Sequence, residues 1–418
     1  MSNIKNNLWG SIEETKEDLL KLCSDLIKTP SINPGGDIEN VTKVITNYLK
    51  DYNIEYEIIR PREDMPNIIA KVGKENGKKI LLNGHSDVVP VGDINRWEFD
   101  PFSGEIVDGK LRGRGTSDMK CGLAGLIYAM KLLKENEEKL NGQIVLNIVP
   151  DEETGGEFGT MWLYENGYFD GGDACIIGEP TSYNNCEVGQ KGSLHITVKS
   201  YGVPAHGSIG NYVGDNAILN ISKLFLKLDE LREIEGFFKE DQKEVLENSK
   251  KVAKEALKTK NVEDAIDHVT VNIGTIKGGT KSNVVADYCE AELDIRVPIG
   301  CELDTVLNRL NKIIEELNLQ EKIKYEYDYN SPSNYTDANT DLVKSVVENA
   351  EHIWKKTVLP AYQWASSDAR YYRAKNIPTI QYGPANTQGI HSYNEDVDVE
   401  DIINSTKVYV GILVDLLM

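Results

Sequence analysis

Residues 144–156 read IVLNIVPDEETGG. Apart from Asn147, the first six residues are apolar or β-branched, which is the composition of a strand buried on both faces. This strand runs straight into Asp151, Glu152 and Glu153, three adjacent carboxylates ahead of a Gly-Gly turn. Like charges at that spacing repel, and each is costly to bury unpaired. Either the acidic turn stands in water or a cation collects it.

On both sides of this stretch, strand and helix signals alternate. YEIIR (56–60) and NIIAKV (67–72) precede KKILLNGH (78–85), a strand that enters a loop at Gly84. CGLAGLIYAMKLLKEN (121–136) is a helix, FGTMWLYENG (158–167) another, and DACIIGEP (173–180) a further strand. Strands separated by helices at this spacing predict a mostly parallel sheet flanked by helices, with its active site at the carboxyl ends of the strands.

Near residue 190 the pattern changes. GSLHITVKSYG, DNAILNISKLFLKLDELRE, HVTVNIGTIKGG, ADYCEAELDIRVP, LDTVLNRLNKIIEELN and KIKYEYDYN follow in the order β-α-β-β-α-β, the ferredoxin-like pattern. A charged, helix-prone excursion at about 236–266 interrupts it and reads as a solvated helical insertion. After residue 330 the α/β signal returns with DLVKSVVENAEHIW, IPTIQYG and a C-terminal helix from Val399. The expected organisation is therefore an α/β catalytic domain of residues 1–189 and 331–418, with an α+β domain of residues 190–330 inserted into it.

The 418 residues exceed what one core usually supports. Lysine and arginine (46) against aspartate and glutamate (67) leave a net charge of −21, which argues against nucleic acid or anionic membranes as partners. No apolar run reaches the ~18 residues of a membrane span. The start, MSNIKNNLWGSIEETKEDLLKL, has neither the basic nor the apolar region of a signal peptide and reads as a helix with Ser11 and Glu14 spaced as a capping box. Six scattered cysteines without a C-x-x-C pair suit reduced thiols in a cytoplasmic enzyme.

Chemistry collects where the strands end. His85 with Asp87, the Asp151–Glu153 run and Glu179 each follow a predicted strand, Asp118 precedes a helix, and His391 closes IQYGPANTQGIHSYNE. Singly, each has a plain structural explanation: a hydrogen-bonded loop histidine, a helix cap, a solvated acidic turn. Convergence at one edge of a sheet changes that reading. Two imidazoles and three carboxylates form a ligand set suited to Zn²⁺ or a close relative, and five protein ligands exceed the need of one ion, so two metals sharing a carboxylate are expected.

GHSDVVP, GRGTSDMKCG, PDEETGG, GEPT, PAHGS, SNVVAD, SDARYY and GIHSYNE occur in this order over some 300 residues. Together they resemble the M20 metallopeptidases, the family of acetylornithine deacetylases, succinyl-diaminopimelate desuccinylases, aminoacylases and carboxypeptidase G2. The resemblance implies that His85, Asp118 and Glu179 bind one metal and that Asp118, Glu153 and His391 bind a second. Zn²⁺ is the first choice and Co²⁺ the alternative. It further implies that Asp87 orients His85, that Glu152 is the general base, and that His206 reaches into a partner subunit's site to stabilise the oxyanion. Asn283 and Arg296 match positions near the substrate, and Arg296 suits a carboxylate. The family also carries a cis peptide after the bridging aspartate, here Asp118–Met119. Adjacent residues on an extended segment point to opposite sides, which would give Glu152 and Glu153 different tasks. His195, His268 and His352 are read as structural, and Cys121 as packing.

The function expected is a dinuclear-metal amidohydrolase that deacylates N-acyl amino acids, in which a metal-bound hydroxide attacks the amide while Glu152 manages the proton. SSDAR (366–370) looks more like the desuccinylase and mixed deacylase branch than the acetylornithine deacetylases proper. A dipeptidase or carboxypeptidase of the same family is the alternative, because a dipeptide also places an amide beside a carboxylate. An inactive metal-binding relative is a third reading, against which Glu152 and a complete ligand set stand. The expected assembly is a homodimer through the inserted lid and dimerisation domain.

Overall fold

The computed structural model describes residues 3–210 and 212–418; Met1, Ser2 and Asn211, which the sequence reading assigned to the two domains, lie outside the described residues. The chain forms two compact units. The first ends at Val188 and resumes at Thr336–Ala361 and Ser367–Met418; the second comprises Gly189–Tyr335 and Tyr362–Ser366.

The chain begins with α1 Asn3–Glu14, α2 Lys16–Ile27, α3 Glu39–Asp51, β1 Glu55–Arg62, β2 Met65–Gly73 and β3 Lys78–His85. It continues through β4 Ile106–Val107, β5 Lys110–Arg112, α4 Cys121–Lys134, β6 Gly142–Val149, α5 Thr160–Glu165, β7 Ala174–Ile177 and β8 Asn185–Gln190. Next come β9 Gly192–Tyr201, α6 Ala217–Phe225, α7 Lys243–Leu257, α8 Asp264–Asp267, β10 Thr270–Gly278, β11 Tyr288–Val297, α9 Leu303–Glu316, β12 Ile323–Ser331 and β13 Asn334–Tyr335. The chain closes with α10 Asp341–Trp354, β14 Leu359–Gln363, α11 Ala369–Ala374, β15 Thr379–Gln381, β16 Asp396–Asp398 and α12 Val399–Leu417.

The main sheet of the first unit has the order β1-β2-β6-β3-β7-β15-β8. Its centre is parallel: β3 pairs with β6 and with β7, and β7 pairs with β15. Antiparallel strands border this centre, with the β1–β2 hairpin on one side and β8 on the other. From Ile80 in β3 and Ile144 in β6, every residue to the strand's end is buried, as a central parallel strand requires. Helix α4 is buried along Cys121–Leu133 because α12 covers it; a Cβ on Gly125 would stand 2.8 Å from Thr406 Oγ1 and 3.0 Å from a ring carbon of Tyr409. Each large side chain buried there contributes about 1.5–3 kcal/mol.

The second unit contains a four-stranded antiparallel sheet of order β10-β11-β9-β12, with α6 and α9 in the crossovers: the ferredoxin-like arrangement. The charged excursion is more than a solvated helix. One face of α7 buries Val245, Ser249, Val252 and Ala253, and Ser249 Oγ accepts the Tyr362 N–H at 2.7 Å, which ties the excursion to the 362–366 segment.

The N-terminal capping box is not made. Helix α1 already begins at Asn3, so Ser11 lies inside it and donates to the Asn7 carbonyl at 3.1 Å; the break falls at Thr15 instead. All six cysteines are buried and unpaired. Among the described residues, no helix is long and apolar enough to cross a membrane.

Candidate metal centre

Three neighbouring parallel strands end side by side. His85 is the last residue of β3, opposite Val149 of β6, and Asn83 stands opposite Ile177 of β7. The segments carrying His85, Glu152–Glu153 and Glu179 therefore leave the sheet at one edge. Asp118 lies in an irregular turn over Thr116–Lys120 that leads into α4, and its peptide to Met119 is cis. His391 follows β15 with a left-handed backbone (φ 58°), a conformation rare outside glycine and enriched at functional sites.

Asp118 faces two imidazoles with two different oxygens. Oδ1 lies 3.0 Å from His85 Nε2, and Oδ2 lies 3.3 Å from His391 Nε2. Glu179 Oε1 lies 3.9 Å from His85 Nε2, and Glu153 Oε2 lies 3.2 Å from His391 Nε2. Two potential ligand groups result: His85, Asp118 and Glu179, and Asp118, Glu153 and His391. Within each, the candidate ligand atoms lie within 4.8 Å of one another. On the other side of His85, Nδ1 faces the Asp87 carbonyl at 3.0 Å and Asp87 Oδ1 at 3.4 Å. This fixes the ring orientation, with Nδ1 turned to Asp87 and Nε2 turned to the carboxylates. Asp87 Oδ2 accepts from Asn33 Nδ2 at 3.0 Å and from the Glu153 N–H at 3.3 Å, so one carboxylate fixes both the imidazole and the acidic turn.

The protein alone does not balance the charges here. Burial, reinforced by Asp368, pushes the Glu152 carboxyl well up; burial and Asp118 do the same to Glu179 and raise Glu153. Burial works against the Asp118 carboxylate, but hydrogen bonds from His391 and His85 hold it down. Those bonds, with Glu153, push His391 up to about 10; His85, although buried, is raised by Asp118 and Asp87. Carboxylates that repel and imidazoles that hold protons mark a cluster short of positive charge.

His206, Asn283 and Arg296 lie in the second unit. His206 and Asn283 come together: the Gly207 N–H donates to the Asn283 carbonyl at 2.8 Å, and a Cβ on Gly207 would stand 2.9 Å from that carbonyl carbon. His206 is exposed, with Nδ1 2.8 Å from Ser208 Oγ. The Arg296 fork is engaged by Asp294, at 2.7 Å from Nε and 3.0 Å from Nη2, while Nη1 donates to Ser193 at 2.8 Å. To take a substrate carboxylate, Arg296 has to exchange that partner. A third His/Asp group, Asp264, Asp267 and His268, already has its cation: Lys250 Nζ lies 2.5 Å from Asp267.

Three residues around the site carried no assignment in the sequence. Asn33 bridges Asp87 and Thr154, each at 3.0 Å. Asp368 is fully buried and accepts the Thr160 hydroxyl. Glu395 is fully buried behind the Asp118 turn. Asp368 and Glu395 stand inside quoted motifs, SDARYY and GIHSYNE, but Asn33 had no signal beyond its Pro-Gly-Gly turn.

The model of peptidase family M20/M25/M40 matches residues 81–415. A probable succinyl-diaminopimelate desuccinylase of Staphylococcus aureus is 28% identical, covering 94% of this chain and 96% of its own length. The M20 metallo-carboxypeptidase Sso-CP2 of Sulfolobus solfataricus superposes with a TM-score of 0.78 at 21% identity, over 95% of this chain and 98% of its own. The di-peptidase Dug1p of Saccharomyces cerevisiae superposes at 0.79 with 16% identity, over 99% and 98%.

Proposed function

From the premise that the chain belongs to peptidase family M20/M25/M40, we propose that it removes the acyl group from N-acylated amino acids, in the manner of a desuccinylase or deacetylase. It is a metal-dependent hydrolase of amide bonds. The observation that carries the reading is Asp118, whose two oxygens belong to two separate ligand groups.

The donors fit two divalent ions. Imidazole nitrogen and carboxylate oxygen suit Zn²⁺, with Co²⁺ as a working substitute, and the local excess of carboxylate is what such ions neutralise. His85, Asp118 and Glu179 would hold one, and Asp118, Glu153 and His391 the other. Bound there, the pair supplies Lewis acidity that polarises the amide carbonyl and acidifies a water.

The remaining tasks fall to the chain. Asp87 keeps the His85 ring turned so that Nε2 is the nitrogen presented to the ion. Glu152, outside both ligand groups, takes the proton of the attacking water and passes it to the leaving amine. His206 of the partner subunit donates to the oxyanion, while Asn283 and Arg296 grip the substrate, Arg296 by its carboxylate. The inserted domain acts as lid and dimerisation surface. Strand β10 is an edge strand whose residues 272–278 are all exposed, Ile273 and Ile276 among them, and such an edge invites a second strand. Six unpaired cysteines suit a reducing cytoplasm.

The test is a hydrolysis screen of metal-stripped and reconstituted enzyme. Chelation should abolish turnover, and Zn²⁺ or Co²⁺ should restore it. Succinyl-diaminopimelate, acetyl-ornithine or a related N-acyl amino acid should be cleaved faster than simple dipeptides. Preference for dipeptides moves the enzyme to the dipeptidase and carboxypeptidase branch. Full activity without metal refutes the mechanism.

A further inference from the structure

Behind Asp118 lies a carboxylate that is not among the proposed ligands. Glu395 is fully buried, as is Arg114, which donates to Glu395 Oε2 at 2.5 Å. The other oxygen, Oε1, accepts three backbone N–H groups of one turn: Gly115 at 3.1 Å, Ser117 at 2.9 Å and Asp118 itself at 3.3 Å. Backbone amides of one turn aimed at one point make an anion-binding site, here filled by a side chain of the protein, while the Thr116 N–H between them goes to the Gly113 carbonyl. The Glu395 carbonyl accepts the Gly113 N–H at 2.9 Å, so this residue grips the turn with main chain and side chain together.

The same segment carries His391, four residues earlier. It is tied to the turn a second time: Ser117 Oγ donates to the Asp396 carbonyl at 3.1 Å and accepts the Asn386 N–H at 3.0 Å. Asp396 also pairs with Arg112 where β16 joins β5. The shared ligand Asp118 and the histidine that meets its Oδ2 are thus held by one buried clasp.

We propose that Glu395 is a positioning residue that sets the place of Asp118 relative to His391, and through it the affinity of both cation sites. The proposal rests on the two-cation reading above. A carboxylate is required because both of its oxygens must accept. A glutamine can offer one oxygen to the three amides, but its NH₂ then faces the Arg114 guanidinium, donor against donor, and leaves a buried cation without a counter-charge.

The test is Zn²⁺ titration of the metal-stripped, full-length protein by calorimetry, beside the absorption spectrum of the Co²⁺-loaded form. Glu395→Gln should keep the wild-type circular dichroism spectrum. Its affinity should fall about 10–100-fold at both sites, the usual effect of losing a partner behind the ligands, and its Co²⁺ spectrum should change. Val410→Ala, a core truncation in α12, should lower Tm with no change in affinity. Equal loss of affinity in both variants would make Glu395 merely structural and overturn the proposal, as would wild-type affinity in Glu395→Gln. Asp118→Asn separates the two readings. If it binds Zn²⁺ like wild type, the centre itself is wrong; if it alone loses metal, only the role of Glu395 falls. Should Glu395→Gln not fold, Ser117→Ala decides, because it removes one strand of the clasp and leaves the buried charges paired. Weakened binding at both sites supports the proposal, and unchanged binding overturns it.

Discussion

Glu152 and Glu153 are consecutive residues in different surroundings. Glu153 presents its carboxylate to His391 and its N–H to Asp87, whereas Glu152 belongs to neither ligand group and feels Asp368. Strand alternation would send the two side chains to opposite faces, but the segment is a short 3₁₀ turn over Glu152–Thr154. The divergence comes instead from the roughly 120° between successive side chains of such a turn. Asp368 stands inside the SDARYY motif, but its part beside Glu152 is not legible there, because it lies in what the carboxylate approaches and no spacing in the chain encodes that. Glu152→Gln keeps size and removes the proton acceptor, so kcat should fall about 10²–10⁴-fold with both metals retained. Glu153→Gln should instead weaken the second site, and added metal should partly restore turnover. Metal content measured beside kcat in the two variants checks this; metal loss in Glu152→Gln with normal turnover per bound metal would reverse the assignment.

At the scale of elements, the helix that follows Asp118 lies against the strand that delivers Glu179. A Cβ on Gly122, in the first turn of α4, would fall 1.9 Å from the Gly178 carbonyl oxygen, one residue before Glu179. Glycine to alanine in a helix ordinarily gains about 0.5–1 kcal/mol. Here the clash is with backbone, so Gly122→Ala should destabilise by about 1–3 kcal/mol and weaken metal binding by the His85 group. Thermal unfolding and metal titration would show both effects; a more stable variant with normal affinity contradicts this packing. The elements themselves were largely legible, because β3, β6, α4 and α12 are apolar runs or stripes whose lengths separate strand from helix. The antiparallel border was not read, yet the cue was present. Only Glu63 and Asp64 separate β1 from β2, and a connection of two residues permits a hairpin but no parallel crossover. The Ser11 capping box failed for the opposite reason: a local signature was overridden by a helix that starts two turns earlier.

For the whole molecule, a net charge of −21 sets the terms of assembly. Two copies repel at long range, so a homodimer has to be carried by backbone pairing and apolar contact, as the exposed β10 edge offers, and raising the salt concentration should tighten it. If His206 of the partner subunit completes each site, the active unit is composite, and two dead proteins can make a live one. His206→Ala keeps its own Glu152; Glu152→Ala keeps its own His206. When equal amounts exchange subunits at random, half of the dimers are hybrids. Each hybrid contains one site with Glu152 from one chain and His206 from the other, which predicts recovery of about a quarter of the wild-type rate. Were His206 to act within its own chain, every site in the mixture would lack one of the two groups and no activity would return. Mass spectrometry of differently labelled subunits would establish exchange, and the rate would be read on the same sample. No recovery after proven exchange, or an active enzyme that stays monomeric at assay concentration, would remove His206 from the partner's site.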